Sequence, residues 1–151
     1  MSSNNNATAM RTARPPLLGA LAGYRLRRAT GRMMADLRAA FAPLGMRPML
    51  FAIMELIDAE PGIIQGAAGN ELGIQRANLV PLINDLVKRG LVERRPAPAD
   101  RRALALYLTR QGADLHREAT AIVLDHERRT LDALSPAERK ALMALLDRVA
   151  P

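Results

Sequence analysis

Apolar residues in this chain recur mostly three and four positions apart, the spacing of a helix face, and in one short stretch they alternate. The first helical run extends from Leu17 to about Phe41. Leu17, Leu18, Leu21, Tyr24, Leu26, Met33, Met34 and Leu37 are apolar there, and Arg25, Arg27, Arg28, Arg32 and Arg38 are charged. Its apolar stripe wraps much of the helix, which implies burial against two partners, its own subunit and another chain. Pro43-Leu44-Gly45 breaks this run, and Pro48 suits the first turn of a second helix, Pro48 to about Ala59. Leu50, Phe51, Ile53, Met54, Leu56 and Ile57 are nearly continuous, so the second helix is expected to be deeply buried, ending at Glu60-Pro61-Gly62. A third helix, about Gln65 to Leu72, reads as short and weak. Gly66 and Gly69 each cost roughly 1 kcal/mol against alanine in a helix interior. Leu72-Gly73-Ile74 is then a turn, with Gly73 where positive φ is needed.

The fourth helix, about Gln75 to Arg89, places Leu79, Leu82, Ile83, Leu86 and Val87 on one face. Lys88 and Arg89 suit its negative end, and Gly90 suits the position just past it. Pro81 sits inside this helix, where it removes the hydrogen bond to the carbonyl of Ala77 and is expected to bend it. The period then changes. Leu91 to Arg95 and Ala103 to Leu108 read as two short strands, the second with Leu104, Leu106 and Leu108 alternating against Ala105 and Tyr107, around a tip at Pro96-Ala97-Pro98-Ala99. Thr109 is positioned to cap a fifth helix reaching about Ala133, with Leu115, Ala119, Ile122, Val123 and Leu131 as its apolar face. Ser135-Pro136-Ala137-Glu138 is a capping box with proline at the first helical position, and it opens a sixth helix to about Val149.

The run Leu86-Val87-Lys88-Arg89-Gly90-Leu91-Val92-Glu93-Arg94-Arg95, continued through Asp100-Arg101-Arg102 to Leu108-Thr109, resembles the MarR family of transcription regulators. That family pairs a helix ending in a basic R-G-L-V pattern with a wing carrying D-R-R and a strand ending in L-T before a long helix. The resemblance spans roughly residues 17 to 150. It implies a mainly α fold with a small β-hairpin wing (α+β), a winged helix-turn-helix domain plus N- and C-terminal dimerisation helices. The expected organisation is a disordered tail over 1–16 and a MarR-type domain over 17–151. Within that domain, 17–41 and 109–150 are the dimerisation helices and 48–108 the winged domain.

The resemblance makes the fourth helix the recognition helix, whose N-terminal part meets base edges in the major groove. The outward residues are Gln75, Arg76, Ala77, Asn78, Val80, Pro81 and Asn84; arginine suits guanine, and asparagine or glutamine suits adenine. Asp85 occupies a position often basic in the family. In the wing, Arg94, Arg95, Asp100, Arg101 and Arg102 are the expected contacts. Arg101 is the residue favoured to enter the minor groove, with Asp100 and Arg94 or Arg102 structural. The implied partners are a second copy of the chain and double-stranded DNA carrying a near-palindromic operator, its half-sites about one turn (~10 bp) apart. The family also commonly binds small lipophilic anions, aromatic acids or their thioesters, between the dimer helices and the winged domain. Tyr24, Arg28, Met33, Phe41, Met46 and Phe51 are placed nearest that site. The function implied is a repressor released by such a ligand. The alternative is a winged-helix protein-interaction module without specific DNA binding.

Composition sharpens this picture. The 151 residues include 22 Lys and Arg against 15 Asp and Glu, a net charge of +7. Between Gln75 and Arg110 stand eight cations, Arg76, Lys88, Arg89, Arg94, Arg95, Arg101, Arg102 and Arg110, against Asp85, Glu93 and Asp100. A positive cluster on one module suits a phosphate backbone, and arginine suits planar contacts. The 3% aromatic content leaves the core to aliphatic side chains and methionine, which also forms adaptable pocket walls. The absence of cysteine excludes disulfides, thiol catalysis and cysteine-ligated zinc. No apolar run approaches the ~18 residues of a membrane span, and Met1 to Asn6 lack a secretory pattern, so a cytoplasmic protein is expected. No nucleophile motif, paired metal ligands or phosphate loop supports an enzyme, and no cofactor is expected. His116 and His126 project about 80° apart, nearly three turns from each other, and read as solvated; Asp125 and Glu127 beside His126 leave only a zinc site shared across a dimer.

Overall fold

The computed structural model describes residues 16–97 and 103–149. The chain divides into two compact units, residues 1–33 and 34–151. The first unit holds α1 (Pro16–Ala20) and the start of α2 (Ala22–Phe41). One continuous helix was expected here, but Leu21 lies outside both. Glycines flank it at Gly19 and Gly23, where helical backbone costs most, and the guanidinium of Arg25 takes up the Gly19 carbonyl at 2.7 Å. Residues 1–15 of the expected tail lie outside the described residues, while Pro16 already begins α1.

The second unit carries the end of α2, a short 3₁₀ turn (Ala42–Leu44), α3 (Pro48–Ala59), α4 (Gln65–Glu71), α5 (Arg76–Lys88), β1 (Val92–Pro96), β2 (Leu104–Leu108), α6 (Arg110–Thr130) and α7 (Pro136–Val149). As expected, α3 is the centre of the core: Leu50, Ile53, Met54 and Ile57 are buried, and they meet Leu79, Ile83 and Leu86 of α5, together with Leu91, Val92 and Leu106. Short α4 has no side-chain cap, but its weak point is also its packing point. A Cβ on Gly69 would meet the Ile74 carbonyl and the Leu79 side chain, each at 3.1 Å. Gly73 (φ +61°) and Gly90 (φ +71°) close the ends of α4 and α5 in the left-handed region, as their places in the sequence predict.

Two expectations need correction. Alternation along β2 does not put its leucines on one buried face: Ala105 and Leu106 are both buried and Leu104 is exposed. The reason is that β2 has neighbours on both edges. It pairs antiparallel with β1, Val92 opposite Leu108 and Arg95 opposite Ala105, and on its other side Ile64 bridges Ala105. There Leu106 donates to the Ile63 carbonyl at 3.0 Å and accepts from Gly62 at 2.8 Å. The histidines are not solvated either. His116 is 6% and His126 4% exposed. The buried face of α6 runs through Gly112, His116, Ala119 and His126, whose small members let α6 approach α3, while the larger Leu115, Ile122 and Val123 are only partly buried. His116 Nε2 lies 2.7 Å from Glu55 Oε2, and its ring stacks on Phe51 at 5.5 Å between centroids. The capping forecasts hold: Thr109 Oγ1 accepts from Gly112 at 3.0 Å, and Ser135 and Glu138 form the reciprocal capping box.

Candidate nucleic-acid interface

The interface is built around α5. Its inner face, Leu79, Ile83 and Leu86, is fixed in the core, so helical geometry turns the intervening positions outward. Gln75, Arg76, Ala77, Asn78, Pro81 and Asn84 are exposed, and Val80 is half-buried. The helix runs through Pro81 to Lys88 as one element. Proline there removes only one backbone donor, near the helix start and on the exposed side, where water can serve the freed Ala77 carbonyl.

Arg94 of β1 ties the interface together. Its Nη2 donates to Asn84 Oδ1 at 2.7 Å and its Nε to Gln65 Oε1 at 3.2 Å, linking α5 and α4 to the wing. The pairing gives Asn84 an acceptor role inside the protein and draws in Gln65, a residue the sequence reading did not single out. The only sign of Gln65 in the sequence was its place as first residue of α4. Asp85 accepts from Arg47 Nη2 at 3.2 Å, which explains an acid on this helix: it holds the segment before α3 to α5. Arg95 lies over the Tyr107 ring, 4.5 Å from the centroid, and pairs with Glu93. Asp100, Arg101 and Arg102 lie outside the described residues. Ala97 donates to the Ala103 carbonyl at 3.0 Å, closing the base of the tip. Arg76 also borders a cleft of about 350 Å³ with Gln65, Asn70, Leu79 and Leu104.

The six residues expected near a ligand fall in both units. Tyr24, Arg28 and Met33 belong to the first, where Tyr24 is flanked by the Arg27 and Arg28 guanidiniums at 5.3 and 5.8 Å from its ring centroid. Phe41, Met46 and Phe51 belong to the second. Phe41 and Met46 are core residues there, and half-buried Phe51 joins Phe41 at 5.7 Å to His116 on its other side. His116 is a polar neighbour that the sequence reading missed.

Titration shifts lie away from this surface. Asp125 is held below the ordinary aspartate range by hydrogen bonds first from Arg128, then from Arg129. Its partners in the chain are Arg128 and Arg129, and among the described residues no three His, Cys, Asp or Glu side chains gather as metal ligands. Among the described residues no single helix is long and apolar enough to cross a membrane.

Known proteins share this fold. The transcriptional repressor CouR, in a structure bound to a 23-mer DNA duplex, superposes with a TM-score of 0.86 at 36% identity, over 90% of this chain and 96% of that one. CouR bound to p-coumaroyl-CoA superposes at 0.83 with 33% identity, over 91% and 96%. A variant of MarR from E. coli complexed with operator DNA gives 0.80 at 25% identity, over 85% and 93%. In sequence, a putative transcriptional regulatory protein for the hcr operon of Thauera aromatica is 31% identical over 70% of this chain; the match spans 63% of that protein's length. The MarR family pattern matches residues 44–103, the stretch from the end of the 3₁₀ turn to the start of β2. The chain belongs to the MarR family of transcriptional regulators.

Proposed function

We propose that this protein is a dimeric, cytoplasmic repressor that reads a near-palindromic operator and is released from it by an aromatic acid or its thioester. The observation that carries the reading is the exposed row Gln75, Arg76, Ala77 and Asn78 at the start of α5, on a helix braced to α4 and β1 through Arg94. Four outward side chains at the N-terminal end of a rigid helix are what major-groove readout requires. Arg76 takes the role of base-contacting cation. Arg94 and Asn84 position the helix, and Asp100, Arg101 and Arg102 remain wing contacts by family likeness.

Dimerisation is supported by α7, none of whose residues is buried within the chain, with Met143, Leu145, Leu146 and Val149 all exposed. Contiguous apolar surface of this kind marks an interface. A thioester effector is supported by the likeness to CouR, which has been seen with p-coumaroyl-CoA as well as with DNA. Release then follows if the ligand and the operator prefer different dimer geometries.

The test is binding of the full chain to DNA flanking its own gene, at two salt concentrations, for the wild type and Arg76→Ala. Tight, salt-sensitive binding to one near-palindrome is expected, weakened about tenfold or more by Arg76→Ala with relaxed base preference. Unchanged affinity in Arg76→Ala would remove α5 from the reading role. Binding that ignores sequence would favour the protein-interaction module.

A further inference from the structure

Residues 1–35 contain six arginines, Arg11, Arg14, Arg25, Arg27, Arg28 and Arg32, and no aspartate or glutamate. Four of these lie on α2, whose first carboxylate is Asp36. Arg25, Arg28 and Arg32 stand three and four positions apart, so they share one helix face. With Tyr24 and Ala29 they line a cleft of about 250 Å³ in the first unit. Three contacts order this cleft. Arg25 Nε donates to the Gly19 carbonyl at 2.7 Å, and Arg27 and Arg28 lie 5.3 and 5.8 Å from the Tyr24 ring centroid. Among the described residues Arg25, Arg27, Arg28 and Arg32 form no ion pair with a carboxylate.

On α6, by contrast, three arginines are paired with carboxylates of the same helix: Arg128 and Arg129 with Asp125, and Arg117 with Asp114. On α2 like charges at three- and four-residue spacings destabilise the helix, and among the described residues no carboxylate offsets them. An external polyanion would. The geometry points to this cleft as a phosphate site: the place on α2 where the pyrophosphate and nucleotide 3′-phosphate of a coenzyme A thioester bind. This rests on the ligand-released reading above and chooses within it. A free aromatic acid brings one carboxylate, which one guanidinium satisfies. Several guanidiniums on one face match several phosphate oxygens, which arginine meets with two parallel hydrogen bonds. The cleft is too small for a whole thioester, so it takes the phosphorylated end. The Tyr24 ring gives that end an aromatic surface beside the charges, suited to a purine.

The experiment is calorimetric titration of the full chain with coenzyme A, with pantetheine, which lacks the nucleotide and its phosphates, and with p-coumarate, at low and high salt. Coenzyme A is expected to bind at least about tenfold more tightly than pantetheine, with the gap narrowing in high salt. Arg32→Gln should weaken coenzyme A about tenfold and leave pantetheine unchanged, and Arg32→Lys should restore part of the loss. Operator affinity of ligand-free Arg32→Gln should stay within about twofold of wild type. Equal binding of coenzyme A and pantetheine, or an unaffected Arg32→Gln, overturns the site. So does a loss of operator binding in Arg32→Gln equal to its loss of coenzyme A, which would give these arginines to DNA. Release of the operator by p-coumarate, with coenzyme A not bound, would sink the phosphate site and keep the regulator. Absence of any preferred operator would sink the regulator, while the coenzyme A titration would still read the site directly.

Discussion

Helices α3 and α7 are of similar length, 12 and 14 residues, and both are rich in leucine and methionine, yet they meet opposite fates. In α3 Leu50, Ile53 and Met54 are wholly buried; in α7 Leu145 is 55% and Val149 70% exposed. The difference is one of neighbours. α3 lies among α4, α5, α6 and β2, which cover its apolar side chains, while among the described residues none of α7 is buried. An apolar helix therefore carries two kinds of information: α3 specifies the fold of one subunit, and α7 offers the apolar surface to which the second subunit proposed above would dock.

The most direct way to break this comparison is to truncate one leucine in each helix. Leu50→Ala opens a cavity in a closed core and should cost about 2–5 kcal/mol, equally at every protein concentration. Leu145→Ala removes a side chain that is half in water within the chain, so its cost should appear as a weaker dimer. Chemical denaturation at several concentrations, with analytical ultracentrifugation, separates the two. A Leu145→Ala protein that loses stability without any change in dimerisation would mean that α7 is covered by its own chain.

A second substitution sharpens the comparison on α6. A Cβ on Gly112 would stand 1.9 Å from the Leu91 carbonyl oxygen, which is backbone and cannot turn aside. Gly112→Ala should therefore force α6 away from the start of β1 and cost about 3 kcal/mol by overpacking. It should also disturb the Thr109 cap, since Thr109 donates from its hydroxyl to Gly90 and accepts from Gly112. A thermal melt within a degree or two of wild type would show that this junction yields easily.

These residues show where the sequence was legible. Boundaries written in local chemistry could be read directly: Pro48 opens α3, Gly90 follows α5, Thr109 caps α6 and Ser135 with Glu138 opens α7. The outward face of α5 followed from its apolar period alone. Properties that depend on what packs against an element were not legible. His116 looked solvated because its charged partners, Glu55 and Asp58, lie on α3 some sixty positions away. Ala105 looked outward because the segment at Ile64 that covers it belongs to no regular strand. Gly112 carried the one local hint that went unread: glycine in the first turn of a 21-residue helix is costly unless something comes close. Within the candidate interface, Gln65 and the Arg94–Asn84 pair required three elements to be assembled first.

The smallest effect tests how α7 survives without covering neighbours. Its start is held by Ser135, whose hydroxyl and backbone N–H both donate to Glu138 Oε2, at 2.7 and 2.8 Å. These bonds, the hydroxyl first, hold the Glu138 carboxyl below the ordinary glutamate range. Because the folded value is depressed, the ionised carboxylate contributes stability that is fully present above the unfolded value. It is lost as pH falls through the lowered one. At neutral pH the cap is therefore whole, and Ser135→Ala should cost about 1 kcal/mol of local stability. In acid that cost should shrink, because protonated Glu138 no longer attracts the two donors. Glu138→Gln should flatten the acid slope. Hydrogen exchange of the amides in α7, followed from neutral to acid pH in wild type, Ser135→Ala and Glu138→Gln, measures all three. Parallel slopes would mean that the cap contributes nothing and that α7 is held by the partner subunit alone. Converging slopes would mean that local chemistry keeps the helix formed before the partner arrives, so that dimerisation docks a surface already in place.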